Sequence, residues 1–247
     1  MKRTFVDLHL RPNPKDSDAT LQLIKKTAAL GYKVVAAPTD PQTSAGELQK
    51  LRHACKDAGL DFASRVDLHP KTPNELLSLL RRCRRKFEVI CVLCENKEVA
   101  RQAAKDRRVD LLNFPQIDYR ERFFDAAEAE LASSGLAALE FDAKPLLLLE
   151  GPARVRLLAC LRREVQVARA FHVPIVVSSG VSDAMLLRKP REMAVLFSLV
   201  DLVGAYALDA VSCNPLSMVK RNRQKLSSKF VAPGIKVVKK GIDCEES

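Results

Sequence analysis

The sequence is poor in aromatic residues and in long apolar runs. Phe, Trp and Tyr make up 5% of its 247 residues, and Trp is absent. A surface that stacks many nucleic-acid bases on aromatic rings is therefore not expected. No stretch of about 18 apolar residues occurs, and Asp7 soon interrupts the first apolar residues, so we expect neither a transmembrane helix nor a secretory signal. These absences favour a cytoplasmic protein.

Two common motif classes are also missing. Nothing like Gly-x-Gly-x-x-Gly follows the first apolar run, so a dinucleotide-binding fold has no direct support. The seven cysteines are an odd number without an export signal, which favours reduced thiols over a disulfide framework. Cys91 and Cys94 lie three apart on a predicted strand and would face opposite sides, so we expect buried thiols rather than a zinc site.

Positive charge is in excess. Lys and Arg number 41 against 30 Asp and Glu, which gives a formal charge of +11 and a pI of about 9.4. This excess predicts salt-sensitive binding to a polyanion, and RNA phosphates are the most natural partner. Nearly half of the excess, a net of +5, lies in residues 218–247.

Short apolar runs alternate with amphipathic helical patterns along the whole chain. The runs are apolar nearly throughout, which is typical of parallel strands buried on both faces. Eight such runs predict an α/β protein with a TIM-barrel-like (β/α)8 barrel over residues 1–229 and an extended basic tail over 230–247; an open doubly wound sheet is the alternative. The predicted strands are Thr4–Leu8, Lys33–Ala37, Phe62–Leu68, Val89–Cys94, Val109–Phe114, Leu136–Phe141, Pro174–Ser179 and Leu199–Gly204.

Residues that cap helices mark the starts of several helices. Capping boxes are predicted at Ser44–Glu47, Thr72–Glu75 and, more weakly, Asp118–Glu121, and single caps at Asn96 and Asn214.

Function in an eight-stranded barrel lies at the carboxyl ends of the strands. Asp7 and His9 are two apart on one strand, as are Asp67 and His69 on another, so each pair points one way and could share a metal ion; a hydrogen-bond network is the alternative. Residues 178–180, Ser-Ser-Gly, could cradle a phosphate with their backbone amides or form an ordinary turn. Further polar residues at these strand ends are Arg11, Cys94, Glu140, Asp142 and Asp183.

Basic clusters occur at four places. A charge run is often a solvated helix face, and this interpretation suits Arg81–Lys86 as well as phosphate binding does. The cluster Arg188–Arg191 precedes a predicted helix, and Lys220–Arg223 has a high local charge density, so both favour phosphate binding. Arg107 and Arg108 form the fourth cluster.

Six segments match a known family in order over nearly the whole chain. They are Phe5–Leu8, Leu30–Ala36, Val177–Gly180, Leu187–Met193, Asn214-Pro215 and Val231–Val238. On these segments the sequence resembles the archaeal family of RNase P protein component 3, relatives of the thirty-kilodalton subunit of eukaryotic RNase P and RNase MRP. The resemblance implies a barrel related to the PHP metal-dependent phosphoesterases, which typically open with Asp-x-His-x-His. In this sequence Arg11 stands where the second His would be, which removes a metal ligand and adds a cation.

The resemblance further implies a protein subunit of ribonuclease P, in which the RNA subunit cleaves the 5′ leader from precursor tRNA. The implied partners are the RNase P RNA, precursor tRNA, a smaller RNase P protein subunit and other RNase P proteins. Mg²⁺ would serve the RNA, and this chain would bind no cofactor and supply no catalytic residue. The phosphate contacts that we predict are Arg11, Arg65, Arg108, Arg188, Lys189, Arg191, Lys220, Arg221 and Arg223.

Two alternatives stay open. A small-molecule barrel enzyme would bind phosphate at Ser178 and Ser179, but it gives no reason for the basic tail. A PHP-like metal-dependent phosphoesterase would place a metal ion among Asp7, His9, Asp67, His69 and Glu140.

Overall fold

Parallel strands and helices alternate along the chain in the computed structural model, which describes residues 3–13, 16–116, 122–232 and 235–236. Within these residues, seven strands form one parallel sheet whose spatial order is their order in the sequence. The strands are β1 (Val6–Asp7), β2 (Val34–Thr39), β3 (Asp61–Leu68), β4 (Val89–Leu93), β5 (Leu111–Asn113), β6 (Ala138–Asp142) and β7 (Ile175–Ser178).

Helices follow the strands and cover the outside of the sheet. The apolar faces of most of them pack on the sheet in one large cluster that runs from β3 to β7, and those of α1 and α2 pack in a separate cluster with β2 and the start of β3. The helices are α1 (Ser17–Ala29), α2 (Ala45–Asp57), α3 (Pro73–Cys83), α4 (Lys97–Lys105), α5 (Ala126–Gly135), α6 (Lys144–Leu148), α7 (Gly151–Ala170), α8 (Pro190–Leu196), α9 (Gly204–Ala210) and α10 (Cys213–Leu226). No helix in the described ranges is long and apolar enough to cross a membrane.

The capping predictions are largely confirmed. The Ser44 capping box is complete, and the Asn96 side chain accepts a backbone N–H from the first turn of α4. Only half of the box predicted at Thr72–Glu75 forms: Thr72 accepts the Glu75 N–H, but the Glu75 carboxylate accepts the N–H of Lys71 at 2.8 Å.

The cap predicted at Asn214 is wrong, because α10 begins at Cys213, two residues before Pro215, and the Asn214 amide donates to the Ile175 carbonyl at 2.8 Å. The box predicted at Asp118–Glu121 lies outside the described residues.

The sheet curls until its two edge strands meet. Beyond the ends of β1 and β7, the Gly180 N–H donates to the His9 carbonyl and the Arg11 N–H donates to the Val181 carbonyl, both at 2.9 Å. The predicted TIM-barrel-like α/β fold is therefore confirmed, as a nearly closed parallel barrel.

The predicted eighth strand at Leu199–Gly204 is wrong. There the chain forms a 3-10 turn at Phe197–Val200, turns at Asp201 with a φ of +63°, and enters α9. The apolar side chains of this segment, Val200 and Leu202, pack among the helices instead of in the sheet. The loop before α10 provides a hydrogen-bond acceptor for the free edge of β1, since the Val6 N–H donates to the Val211 carbonyl at 3.0 Å.

Helix α10 closes the amino-terminal end of the barrel. Its Met218 and Val219 side chains are buried against the inward-facing residues of the strands. These inward-facing residues are Val6, Leu8, Val34, Ala36, Ala63, Val89, Cys91, Leu93, Leu111, Ala138 and Val176. Burial raises the pKa of the Cys91 thiol, which packs here as a small apolar group.

A short antiparallel pair follows α10. It consists of β8 (Phe230–Ala232) and β9 (Ile235–Lys236) and is separate from the barrel sheet. Residues 237–247 lie outside the described residues, so the division into a barrel at 1–229 and a basic tail at 230–247 stays a prediction.

Candidate functional site

Polar side chains from five strands meet at the carboxyl end of the barrel, where barrel enzymes place their active sites. They come from β1, β3, β5, β6 and β7, and most of them are buried. We call this group the mouth cluster. Its members are Asp7, His9, Arg65, Asp67, Asn113, Glu140, Asp142 and Ser178.

Arg65 lies at the centre of the mouth cluster and is 0% exposed. Its Nη1 and Nη2 atoms donate to the two Glu140 carboxylate oxygens at 2.6 and 2.7 Å, and its Nε donates to Asp67 Oδ1 at 2.6 Å. Burial alone raises the pKa of Glu140, but the Arg65 guanidinium reverses this and holds the pKa well below its usual range. The prediction that Arg65 contacts RNA is wrong, because its donors face two internal carboxylates.

His9 is hydrogen-bonded on both ring nitrogens. Arg11 Nε lies 2.8 Å from His9 Nε2, and since an arginine nitrogen can only donate, Nε2 accepts this bond. The ring proton is then on Nδ1, which faces Asp142 Oδ1 at 2.7 Å. Arg11 therefore uses the lone pair that a metal ion would need.

Asp7 organises the loop after β7. Its Oδ1 accepts the N–H groups of His9 at 3.1 Å and of Ser179 at 3.0 Å, while Oδ2 has no partner among the described residues. Burial raises the pKa of Asp7, and the hydrogen bonds from Ser179 and His9 oppose that rise. Asp7 thus acts as a fixed acceptor for backbone groups at the junction of β1 and β7.

The residues present do not fit a divalent metal ion in this arrangement. One ligand atom each of His9, Glu140 and Asp142 lies within 4.8 Å of the others. However, both oxygens of Glu140 hold Arg65, and the free nitrogen of His9 holds Arg11. Two guanidinium groups thus supply the positive charge that a metal would bring to these donors.

The five-residue metal set predicted from the sequence is only partly brought together. Four of the five lie in the mouth cluster, but only His9 and Glu140 have ligand atoms close to each other, together with Asp142, which the predicted set omitted. Asp67 is held by Arg65, and His69 is exposed just beyond the end of β3. The strand spacing correctly placed the acidic residues but gave no sign of the arginine between them.

Ser178 and Ser179 are used inside the protein. The Ser178 hydroxyl donates to Glu140 Oε1 at 2.7 Å, and Ser179 gives its N–H to Asp7. Both residues are buried, at 1% and 2% exposure. Gly180 has a φ of +67°, and a Cβ there would lie 2.9 Å from the Asp142 side chain. The segment is a tight structural turn, which does not support a phosphate cradle.

A small cavity of about 180 Å³ opens above the mouth cluster. Arg11, Asp142 and Lys144 line its polar side, and Phe114, Leu157 and Leu161 line its apolar side. Small-molecule sites are typically about 300 Å³ or larger, so the cavity offers little support for a small-molecule enzyme.

The predicted phosphate contacts lie on different parts of the surface. Arg11, Lys189, Arg191 and Lys220 are exposed. Arg188 is half-buried and donates to the carbonyls of Met185 and Leu187, both at 3.0 Å. The Arg188–Arg191 loop follows β7, whereas Lys220 is on α10 at the opposite end of the barrel, so these residues do not form one site.

Besides Arg65, three of the predicted contacts form ion pairs within the protein. Arg108 pairs with Asp106 at 2.6 Å, and Arg221 lies 3.2 Å from Asp110. Arg223 pairs with both Asp61 and Glu88, at 2.6 and 2.5 Å. The Arg221 and Arg223 side chains therefore fasten α10 across the amino ends of β3, β4 and β5.

No feature of the sequence indicated two buried polar residues, Asn222 and Arg122, that bind distant partners. Asn222, which is 0% exposed, donates to the Glu88 carbonyl and to Asp110 Oδ1, both at 2.7 Å. Arg122 pairs with Glu164 of α7 at 2.6 Å. Each partner is far away in the sequence, so no local pattern could have indicated these contacts.

Comparisons with known proteins agree with this fold over its whole length. A family model described as RNase P subunit p30 matches residues 4–227. The ribonuclease P protein component 3 of Methanosarcina barkeri is 28% identical over 240 residues, which cover 97% of this chain and 98% of the relative. That of Methanosarcina acetivorans is 31% identical over 188 residues, which cover 76% of this chain and 74% of the relative.

Solved structures show the same architecture. A chain from a cryo-EM structure of archaeal ribonuclease P with mature tRNA has a TM-score of 0.82 at 20% identity and covers 95% of this chain and 98% of its own length. A putative prolidase from Bifidobacterium longum has a TM-score of 0.59 at 13% identity, over 89% and 70% of the two chains. At these identities the likeness concerns the fold. The family match spans the whole barrel and confirms the resemblance seen in the sequence: the chain belongs to the RNase P subunit p30 family.

Proposed function

We propose that this chain is a protein subunit of ribonuclease P. It binds the RNA subunit through phosphate contacts and supports removal of the 5′ leader from precursor tRNA, without supplying a catalytic residue. The observation that carries the proposal is that two arginines occupy the barrel mouth. Arg65 binds Glu140 and Arg11 binds His9, the groups that a metal-dependent hydrolase would use as metal ligands. The names of the relatives support the same role.

The exposed cations of the predicted set are the best candidates for phosphate contacts. They are Arg11, Lys189, Arg191 and Lys220. An exposed side chain can exchange a released counterion for a phosphate at little structural cost, whereas Arg223 would first have to leave two carboxylates. We therefore assign Arg223 to stability rather than to RNA.

The proposed partners are the RNase P RNA, precursor tRNA, a smaller RNase P protein subunit and other RNase P proteins. Mg²⁺ would act on the RNA rather than at a site in this chain. The prediction of a cytoplasmic location belongs to the same proposal, because the subunit has to work where precursor tRNA is processed.

Reconstitution tests this proposal directly. Cleavage of precursor tRNA by the RNase P RNA is measured at limiting Mg²⁺, with and without this chain and its smaller protein partner. We expect the pair of proteins to raise the cleavage rate, because added cations reduce the repulsion between the RNA and its substrate. No stimulation under any of these conditions would contradict the proposal.

A second candidate function is a metal-dependent phosphoesterase, which the proximity of His9, Glu140 and Asp142 favours. It predicts stoichiometric zinc or manganese in the purified protein and phosphoesterase activity that His9→Ala abolishes. Protein that is metal-free after exposure to either ion, and that lacks this activity, would eliminate this candidate.

A further inference from the structure

A compact group of charges surrounds Asp110 at the amino-terminal end of the barrel, remote from the mouth cluster. The Asp110 carboxylate immediately precedes β5 and is only 2% exposed. Its Oδ2 accepts from Arg84 Nη1 at 2.6 Å and from the Ile90 N–H at 3.0 Å. Its Oδ1 accepts from Asn222 at 2.7 Å and from Arg221 at 3.2 Å. One carboxylate thus anchors two arginines, one from the end of α3 and one from α10.

Two further cations stand beside this carboxylate. Arg107, in the turn before β5, and Lys225, on the last turn of α10, are both exposed. Partial desolvation lowers the pKa of Lys225, and the positive charges of Arg221, Arg84 and Arg107 lower it further. Lys225 therefore lies in the field of three arginines, and the Asp110 carboxylate opposes their effect on its pKa.

The backbone holds this arrangement in place. Arg84 also donates to the carbonyls of Arg108 and Phe87, both at 3.1 Å, and to that of Glu88 at 3.3 Å. The charge of Arg84 is therefore in place before an anion approaches, so little of its side-chain entropy is lost on binding. Gathering like charges costs free energy in the isolated protein, and a bound polyanion would recover that cost.

We propose that the Asp110 surface, which consists of Arg84, Arg107, Arg221 and Lys225, attracts the phosphate backbone of RNA, and that the exposed Arg107 and Lys225 make the direct contacts. The proposal rests on the proposed function, since it names a surface through which the RNase P RNA is held. Guanidinium groups suit phosphate oxygens, and several cations around a single carboxylate leave a positive excess that suits a polyanion. It also places an RNA contact at the end of the barrel opposite the mouth.

Arg107 and Lys225 are the residues to change, because Arg84 and Arg221 also hold the fold together. The test variant is Arg107→Gln/Lys225→Gln. Its matched control is Arg156→Gln/Arg163→Gln, which removes two exposed charges from α7 on another side of the barrel. A second control, Arg107→Lys/Lys225→Arg, keeps both charges, and thermal unfolding verifies that all variants are folded.

Binding to the RNase P RNA is then measured over a series of KCl concentrations at constant Mg²⁺. We expect the test variant to lose up to roughly 30-fold in affinity at 0.15 M salt and its salt slope to fall by about 1.4 to 1.8, the value for two lost phosphate contacts. The charge-keeping variant should bind like the wild type, and the α7 control should change much less than the test variant.

The possible failures can be told apart. Wild-type protein that neither binds the RNA nor stimulates cleavage would overturn the proposed function and this inference with it. Normal wild-type behaviour, with equal effects in the test and α7 variants, would overturn the Asp110 surface alone. Unchanged RNA binding with stimulation lost only when the smaller protein subunit is present would assign the surface to an acidic protein and also overturn the inference.

Discussion

At the carboxyl end of the barrel, Arg65 is fully enclosed by Glu140 and Asp67, whereas at the amino end Arg84 and Arg221 share the single carboxylate of Asp110. Arginine is used at both ends, but the balance of charge differs. The mouth cluster contains more carboxylates than arginines and turns them inward. The amino end retains a positive excess that faces solvent.

The two ends of the barrel therefore differ in what each can bind. Barrels that catalyse reactions do so at the carboxyl ends of the strands. In this chain that end is filled by an internal ion-pair network, in which Arg65 holds Glu140 and Arg11 holds His9. The surface still available for a charged partner lies at the amino end and along the exposed basic loops.

The largest expected effect on stability comes from a substitution that breaks the mouth network. Arg65→Ala should lower the free energy of unfolding by about 3–5 kcal/mol, because it leaves the Glu140 and Asp67 carboxylates buried without a counter-charge. Chemical denaturation measures this change. The control is Arg81→Ala, an exposed arginine on α3, which should change stability by less than about 0.5 kcal/mol. Similar effects in the two variants would contradict our account of the mouth.

A smaller effect concerns a carboxylate near the mouth that arginine does not fully neutralise. Glu128, in the first turn of α5, is 0% exposed and lies 3.2 Å from Arg101. Burial outweighs this ion pair and raises the pKa of Glu128 to about 7 from its usual 4.5. Because the folded-state pKa is raised, the stabilising contribution is complete below about pH 4.5 and is lost as the pH rises through 7.

Unfolding measurements between pH 5 and 8 test this expectation, with a contribution on the order of 2–3 kcal/mol from the shift. Glu128→Gln should remove this pH dependence and be more stable than the wild type at the alkaline end. An identical pH profile in the two proteins would show that Glu128 titrates normally.

The smallest expected effect distinguishes the two kinds of cation on α10. Arg223→Ala should lower the free energy of unfolding by about 1–2 kcal/mol, since it removes contacts with Asp61 and Glu88 that are partly screened by solvent. Lys220→Ala, three residues away and exposed, should stay within about 0.5 kcal/mol of the wild type. A loss in Lys220→Ala as large as in Arg223→Ala would contradict the fastening role of Arg223.

Local patterns in the sequence predict the frame of the fold well. Seven of the eight apolar runs become strands, because a strand buried on both faces needs apolar side chains throughout. The Ser44 cap is equally local, since its partner Glu47 is three residues away. The run at 199–204 is wrongly predicted as a strand. Its Val200 and Leu202 are buried among helices, and a short apolar run in that setting has the same composition as a buried strand.

The candidate site is less predictable because its contacts join distant parts of the chain. Arg65 meets Glu140 across 75 positions, and Asn222 meets Asp110 across 112. An arginine within an apolar run gives no sign of whether it faces solvent or a buried acid. The sequence therefore gives no reason to place Arg65 in a buried ion pair. Arg11 can be identified as a replacement for a metal ligand, because it stands where the Asp-x-His-x-His motif has its second His.

The position of α10 in the chain also determines when the barrel can be completed during synthesis. The helix follows all seven strands, yet its Met218 and Val219 seal the interior, and the carbonyl of Val211 just before it pairs with β1. A nascent chain that has made every strand still exposes apolar interior surface and an unpaired edge at Val6. The ribosome must therefore release residues 211–226 before the Val6 N–H finds its acceptor and α10 covers the interior, which makes the sealing of the amino-terminal end a late step in folding.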